Sequence, residues 1–186
     1  FSFLMDWEDD GYRIKNYRNE DGSLRSRPQN TAYLFREGVT WGKVGTGIPC
    51  FRWRPEGYGF NDAAPTLFGS DVRKMLAQMN SNVVRLLLDI RGGTINNTTG
   101  VIGELPFLPI ENFADERNSI ITKCVDTARY DWDSFETSWD FASQPLLNPD
   151  YHQPTLKAAY QKLRAHWLEM TLEMQRLEQE NNRIFI

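Results

Sequence analysis

Arginine side chains, concentrated in one stretch, are the residues whose type and spacing most clearly suggest chemistry. Residues 11–60 hold nine cations against four acids, and seven of the nine cations are arginine. Arginine forms bidentate hydrogen bonds with phosphate oxygens and with O6 and N7 of guanine. Tyrosine, asparagine and glutamine lie between the arginines, and these types suit contacts to base edges and to the sugar–phosphate backbone. The stretch therefore favours nucleic-acid binding, with a solvated charged face as the alternative.

The charge of the whole chain hides this basic stretch. The 186 residues carry a net charge of −4, because residues 1–10 hold four acids and residues 61–186 hold seventeen acids against twelve cations. The hydrophobic fraction of 40% is typical of a folded domain. No apolar run approaches the roughly 18 residues that a membrane span needs, so we expect no membrane partner. The chain opens on Phe1 within an apolar pattern, which indicates a piece of a longer protein.

Metal chemistry is nearly excluded by the few possible ligands. Cys50 and Cys124 form no CxxC pair, and His152 and His166 are the only histidines in the sequence. Because no secretion signal precedes the cysteines, we expect reduced thiols in a cytosolic protein.

An acidic and aromatic run, DWDSFETSWDF at 131–141, is the first candidate for catalysis. Two carboxylates facing each other across a sugar ring would form a glycosidase site, but the sequence does not fix their separation. We expect instead a structural segment whose aromatic rings are buried and whose acids cap helix ends or face water.

The tetrapeptide NPDY at 148–151 is the second candidate. Amino-methylating DNA methyltransferases hold a flipped base with an Asn-Pro-Pro-aromatic sequence. Here Asp150 replaces the second proline and no glycine-rich methyl-donor loop precedes it, so we interpret the match as a turn. Gly42, Gly45 and Gly47 form neither a dinucleotide fingerprint nor a P-loop, and no GxSxG or HExxH sequence occurs. The sequence therefore predicts no catalytic residue and no metal site.

Turn residues and apolar patterning give the elements that would position the arginines. Polar turn signals dominate residues 11–30, which predicts a mobile or loop-rich arm. Short apolar runs between turn residues then predict strands of a twisted sheet at 33–35, 39–41, 48–51, 57–60 and 101–106.

Helical periodicity dominates the rest of the chain. Helices are predicted over 72–90, over 111–129 and over 154–183, the last with an apolar seam every three or four residues. The predicted fold class is α+β: a short, mostly antiparallel twisted sheet with packed helices, followed by a helical C-terminal extension. We divide it into residues 1–110, an α+β domain like a target-recognition domain, and residues 111–186, a helical region with a long final helix.

Several sequence segments, in order, resemble the C-terminal part of large bacterial adenine-specific DNA methyltransferases of the PglX type. These belong to BREX phage-defence systems, and single-chain restriction–modification enzymes carry related segments. DWDSFETSWDF followed by PLL at 145–147 resembles a hallmark of the family. FREGVTW at 35–41 is similar to its EGITW strand, and PEGYGF at 55–60 through Phe68 is similar to PEGFIFD…SLF. Residues 94–106 resemble PTLNFQVGDIxxLP, and residues 177–186 resemble EEELNRIFIDIYGL.

The resemblance implies a DNA sequence-recognition fragment of an N6-adenine-specific methyltransferase in the bacterial cytoplasm. The parent enzyme would bind S-adenosylmethionine and flip an adenine, so no cofactor is expected in this chain itself. The implied partners are double-stranded DNA, the missing methyltransferase core of the same polypeptide and other defence-system subunits. The arginine-rich arm aligns with no family motif, so its role depends on its chemistry alone.

Twelve residues form the predicted DNA-binding set. The cations of 13–54 would contact phosphates, several polar side chains would reach base edges in the major groove, and two residues flank the glycine loop. The set is Arg13, Lys15, Arg18, Arg25, Arg27, Gln29, Asn30, Trp41, Lys43, Thr46, Arg52 and Arg54. The alternatives left open are a helical protein-docking module without DNA contact, and a glycan-processing enzyme that uses the acidic tryptophan segment.

Overall fold

The computed structural model describes residues 4–47, 49–92, 96–108 and 115–185. Within these ranges the chain forms six α-helices, three strands and three 3₁₀ turns, which confirms the predicted α+β class with a long C-terminal helix. The helices are α1 (Glu8–Lys15), α2 (Val72–Met79), α3 (Asn82–Gly92), α4 (Thr99–Gly103), α5 (Asp115–Asp133) and α6 (Leu156–Ile184). The strands are β1 (Gly38–Thr40), β2 (Arg52–Arg54) and β3 (Thr66–Leu67), and the 3₁₀ turns are Thr31–Tyr33, Pro145–Leu147 and Pro149–Tyr151.

The sheet is antiparallel, with β1 between β2 and β3. Val39 pairs with Trp53 on one side, and Thr40 pairs with Thr66 on the other. The strand predicted at 39–41 is confirmed, whereas the strands predicted at 33–35 and 57–60 are wrong. Residues 31–33 form a 3₁₀ turn, and Phe35 and Gly57 have φ values of 64° and 89°, so neither segment has the extended backbone of a strand. Two backbone hydrogen bonds join Phe35 to residues 57 and 58. Residue 48 of the predicted strand 48–51 lies outside the described residues, and β2 begins only at Arg52.

One hydrophobic core joins the sheet to the helices. It runs from Val39 and Trp41 on or beside β1, through α2 and α3, to Ile121 of α5 and Phe185 after α6. The Trp41 indole N–H donates a hydrogen bond to the Asn97 carbonyl at 2.8 Å, which satisfies its polar atom inside the core. The core thus contains residues from both sides of position 110, and the division of the chain at that position stays a prediction.

The helix predicted over 72–90 is two helices in the structure, separated at Asn80 and Ser81. The Asn80 amide donates to the Phe51 carbonyl at 3.0 Å, and its oxygen accepts from the Phe51 N–H at 3.3 Å. The Ser81 hydroxyl accepts from Val84 N at 3.3 Å and so caps α3. The chain therefore does not continue as one helix here, because the Asn80 side chain bonds to the loop at Phe51.

The strand predicted at 101–106 is wrong, because the segment begins as the short helix α4. Thr98 caps this helix, its hydroxyl accepting from Val101 N at 3.4 Å. Ile102 of this helix and Leu105 just after it are both buried. The β-branched residues favoured a strand, but the cap and the core contacts decide the conformation.

The final helix confirms the prediction for 154–183 and is the longest element. Thr155 caps it, with its hydroxyl accepting from Ala158 N at 3.2 Å. The helix packs on α5 and on the two 3₁₀ turns between 145 and 151. Of its predicted seam, Leu163 and Leu177 are buried, whereas Tyr160 at the N-terminal end is exposed. The predicted helix over 111–129 is observed as α5, and its residues 111–114 lie outside the described ranges.

Candidate nucleic-acid interface

The loop-rich arm of the sequence analysis contains a small ordered hairpin, residues 17–25, here called the basic hairpin. Arg25 N donates to the Tyr17 carbonyl at 2.8 Å, and Asn19 N donates to the Ser23 carbonyl at 2.8 Å. Gly22 closes the turn with a φ of 82°, a conformation that favours glycine. The Ser23 hydroxyl and N–H donate to Asp21, and these hydrogen bonds lower the pKa of its carboxyl group. Local backbone and side-chain bonds therefore hold the hairpin in one shape.

Two arginines of the basic hairpin are exposed and use only part of their hydrogen-bonding capacity. Arg18 donates to the Gly22 carbonyl at 2.7 Å. Arg25 donates to the Tyr17 hydroxyl at 3.0 Å and lies 5.2 Å from the centre of that ring. Each guanidinium has five N–H donors, so most of them still face solvent. Arg27, just past the hairpin, is exposed and has no side-chain partner among the described residues.

The other two cations of the arm are engaged by acids that precede them. Arg13 forms an ion pair with Asp6 at 3.0 Å, and Lys15 forms one with Asp10 at 2.7 Å. The hydrogen bond and charge of Lys15 lower the pKa of the Asp10 carboxyl. Exposed pairs of this kind contribute little to stability, so a phosphate can replace either carboxylate.

Aromatic contacts attach this arm to the loops beside the sheet. Trp7, which precedes α1, packs edge-to-face on Phe35 with the ring centres 5.2 Å apart. The guanidinium of Arg36 lies 5.3 Å from the centre of the Tyr33 ring. The segment before α1 and the loop at 33–36 are therefore held by packed aromatic rings.

The remaining predicted residues around the sheet divide into exposed and engaged side chains. Gln29, Asn30, Thr46 and Arg52 are exposed. Lys43 forms an ion pair with Asp62 at 2.6 Å. These side chains are accessible to a ligand, although no contact among the described residues brings them together into one site.

Two residues of the predicted DNA-binding set lie in the interior. Trp41 is 1% exposed at the centre of the core. Arg54 is 7% exposed, donates to the carbonyls of Gly59 and Arg36, and packs against the ring of Phe60. Burial lowers the pKa of the Arg54 guanidinium. Neither side chain has surface available to a nucleic acid, because both are needed to hold the sheet and its loops together.

A cleft between β2, the α2–α3 junction, α5 and α6 is a feature that the sequence analysis missed. It has a volume of about 790 Å³, and its lining includes Arg52, Arg85, Arg129 and the rings of Trp53 and Trp132. The lining residues come from distant parts of the chain. Only the cationic and aromatic residue types could have signalled the cleft in the sequence.

Three of the four aromatic residues of 131–141 are exposed and Phe141 is half-buried, which corrects the expectation that they are buried. Trp132, Phe135 and Trp139 are 57%, 54% and 64% exposed. Residues 134–140 form successive turns after the end of α5, and Ser138 fixes one of them through a 2.6 Å bond to the Asp133 carboxylate. Because turns follow one another here, the segment has no regular face to bury, and its rings project outward.

The NPDY segment behaves as the turn that the sequence analysis expected. The Asn148 side chain accepts from Asp150 N at 3.0 Å and caps a 3₁₀ turn. Tyr151 is buried, with its ring centre 5.5 Å from that of His166, and burial is the main cause that raises its pKa to about 12. Neither side chain is available to hold a base.

The acidic residues and the glycine loop form no cofactor site within the described ranges. The part of the chain that the structure describes contains no group of three or more histidine, cysteine or acidic residues placed to hold a metal ion. Gly45 and Gly47 of the glycine loop have no atom within 4 Å of an added Cβ, so the loop surrounds no enclosed space. Among the described helices none is long and apolar enough to cross a membrane.

The exposed arginines of the basic hairpin and the cationic lining of the cleft are of the residue types found in nucleic-acid-binding surfaces. No family model matches the chain. Two curated proteins are similar to it, and both are adenine-specific methyltransferases. PglX of Lacticaseibacillus casei (strain Zhang) is 28% identical over 191 residues, which cover 99% of this chain. BrxX of Escherichia coli O9:H4 (strain HS) is 28% identical over 152 residues, which cover 77% of it.

These similarities confirm the resemblance that the sequence motifs indicated. The chain spans only 16% of the length of the first relative and 12% of the second. The chain is therefore similar to one segment of each of these much longer proteins.

Proposed function

We propose that this chain is the DNA sequence-recognition segment of an N6-adenine-specific DNA methyltransferase of a BREX-type or restriction–modification system. The observation that carries the proposal is the basic hairpin, which presents exposed arginines on a chain similar to adenine-specific methyltransferases. The rest of the polypeptide would supply the S-adenosylmethionine site and the flipped-base pocket, in the bacterial cytoplasm and with other defence-system subunits as further partners.

The shape of the hairpin suits the major groove of duplex DNA. That groove admits a two-stranded ribbon, and residues that alternate along a strand point to opposite faces. The pairing places Arg25 and Tyr17 on one face of the ribbon and Arg18 on the other, so either face offers an arginine to the DNA. Arginine contacts to phosphates would supply affinity, and each bidentate contact to a guanine would contribute about 1–3 kcal/mol of discrimination.

Charge reversal on the hairpin tests this function. For the variant R25E/R27E we expect the dissociation constant for a fluorescein-labelled 20-base-pair duplex at low salt to rise about tenfold or more, because two phosphate attractions become repulsions. The matched control is K157E/R164E, which makes the same charge change at exposed positions of α6. Fluorescence anisotropy measures both variants. Equal affinities of R25E/R27E and wild type would rule out the hairpin as the DNA contact.

A second candidate function, a docking module without DNA contact, is favoured by the exposed apolar side chains of the helical region. Besides the rings of 131–141, Leu168 and Leu172 are exposed one turn apart on α6. Exposed apolar patches often mark protein-interaction sites. This alternative predicts no salt-dependent binding of duplex DNA by the chain, so the same titration separates the two functions.

A further inference from the structure

The cleft beside β2 carries positive charge that no carboxylate of the described chain neutralises. Arg52, Arg85 and Arg129 line it, and none of the three has an ion-pair partner within the described ranges. Some cations elsewhere in the described ranges do form ion pairs, as Lys43 does with Asp62 at 2.6 Å. Glu178 of α6 is the one acid of the described lining. A cleft with three guanidinium groups and one carboxylate has the charge balance that an anionic ligand requires.

Two buried hydrogen-bond donors at Trp53 and its neighbour Arg73 also lack acceptors within the described chain. The guanidinium of Arg73 lies 4.8 Å from the centre of the Trp53 ring, and that of Arg129 lies 5.2 Å from it. Trp53 Nε1 and Arg73 Nη1 are buried, and neither has a hydrogen-bond partner among the described atoms. Each guanidinium is attracted to the indole ring, but the two buried donors, without acceptors in the part of the chain that the structure describes, are costly unless an acceptor-rich group approaches.

An aromatic ring at the cleft offers the other half of a nucleotide site. Trp132 lines the cleft and is 57% exposed, so its ring is accessible to a base. Stacking of a base on such a ring contributes about 1–3 kcal/mol. The volume of about 790 Å³ falls within the range of small-molecule sites and suits one nucleotide rather than a double helix.

We propose that this cleft binds an unpaired nucleotide, whose phosphate contacts Arg52, Arg85 and Arg129 and whose base stacks on Trp132. The ligand is a nucleotide of a single strand or a free nucleotide, since both present the same phosphate and base. Glu178 can accept a hydrogen bond from an N–H group of the base, such as N3–H of thymine or the amino group of adenine. The cleft can bind a nucleotide whether or not the basic hairpin binds duplex DNA. If the nucleotide belongs to a DNA strand, the cleft adds a contact to the proposed function.

Anisotropy titrations of the full 186-residue chain test the cleft. The probe is fluorescein-labelled dT12, and the competitors are AMP and inorganic phosphate. We expect R85Q/R129Q and W132L each to weaken dT12 binding about tenfold, whereas K157Q/R164Q leaves it unchanged. Circular dichroism checks that each variant is folded, and the exposed position of all the changed side chains favours this.

The outcomes separate the ligand sources and the two proposals. Competition by AMP supports a free nucleotide as ligand, and binding of dT12 that resists AMP supports a strand. Competition by phosphate as strong as that by AMP would overturn the nucleotide assignment, and so would wild-type dT12 affinity in both cleft variants. The variant R25E/R27E should bind dT12 normally while losing duplex affinity. If duplex binding is absent but the cleft variants lose dT12 binding, only the duplex-recognition function fails.

Discussion

Gly38 lies in the central strand β1 at a position where the neighbouring strand leaves room only for glycine. A Cβ at this position would lie 2.5 Å from Thr66 Cγ2 and 2.6 Å from the backbone oxygen of Leu67. The neighbouring strand therefore leaves no space for any side chain. The glycine belongs to the EGVTW segment that the sequence analysis singled out, and the close approach of β3 supplies its physical reason.

We expect G38A to destabilise the fold by about 1–3 kcal/mol, because β3 must shift to admit the methyl group. Urea denaturation followed by circular dichroism measures the change in the free energy of unfolding. G45A is the control, since an added Cβ there meets no atom within 4 Å. If G38A were as stable as G45A, the packing of β1 against β3 would be looser than the structure indicates.

The two cysteines should differ in reactivity. Burial, and then the charges of Glu178 and Glu173, raise the pKa of the Cys124 thiol to about 11, whereas Cys50 is exposed. Because the thiolate is the reactive form, we expect C50S to react slowly with iodoacetamide at pH 7.5 and C124S to react readily. Intact mass spectrometry measures both rates. Faster modification of C50S than of C124S would contradict this assignment.

The raised pKa of Cys124 also determines whether the stability of the fold rises or falls with pH. The unfolded thiol loses its proton near its ordinary value of about 9, below the folded value of about 11. The unfolded state therefore binds fewer protons above pH 9, and this group's contribution to stability falls as pH rises through that window. The variant C124S should lose less stability between pH 9 and 11 than the wild type.

Among the secondary-structure elements, the end of α6 holds the α2–α3 junction through two adjacent asparagines. The Asn181 amide donates to the Ala77 carbonyl at 2.9 Å, near the end of α2. The Asn182 oxygen accepts from Asn82 N at 2.7 Å, at the first residue of α3. Each asparagine satisfies one of the backbone groups that helix ends leave unpaired.

We expect N181A to cost about 1–3 kcal/mol, since it leaves a buried carbonyl without a donor, and N182A to cost about 1 kcal/mol. Thermal unfolding measures both variants against Q179A, which changes an exposed position of the same helix. Equal melting temperatures for all three would mean that α6 does not secure the junction.

The elements also show where sequence patterning sufficed and where it did not. Apolar periodicity and turn signals predict the final helix and the strand at 39–41. In both elements the apolar residues follow the spacing of a helix or a strand. The break at Asn80 and the helix at 99–103 depend on a loop contact and a cap, which periodicity does not register. Patterning predicts only an irregular arm at 17–25, because the bonds of the hairpin are local and it carries no apolar stripe.

For the molecule as a whole, the candidate DNA-binding set was only partly predictable. The basic stretch contains exposed arginines such as Arg25, but charge alone could not distinguish them from Arg54, which is buried against aromatic rings. The basic stretch also gave no sign of the cleft, since Arg85 and Arg129 lie outside that stretch and line the same cleft as Trp53 only through folding. Long-range packing decides which cations face solvent and which face one another.

Binding of duplex DNA through the basic hairpin is tested most directly by the salt dependence of duplex affinity. The comparison is between the wild type and R18Q/R25Q/R27Q. For the wild type we expect the logarithm of the binding constant to fall linearly with the logarithm of the salt concentration. In the variant the slope should be smaller by about 0.9 for each phosphate that it no longer neutralises. A wild-type affinity that does not change with salt, or identical slopes for the two proteins, would contradict DNA binding by the hairpin.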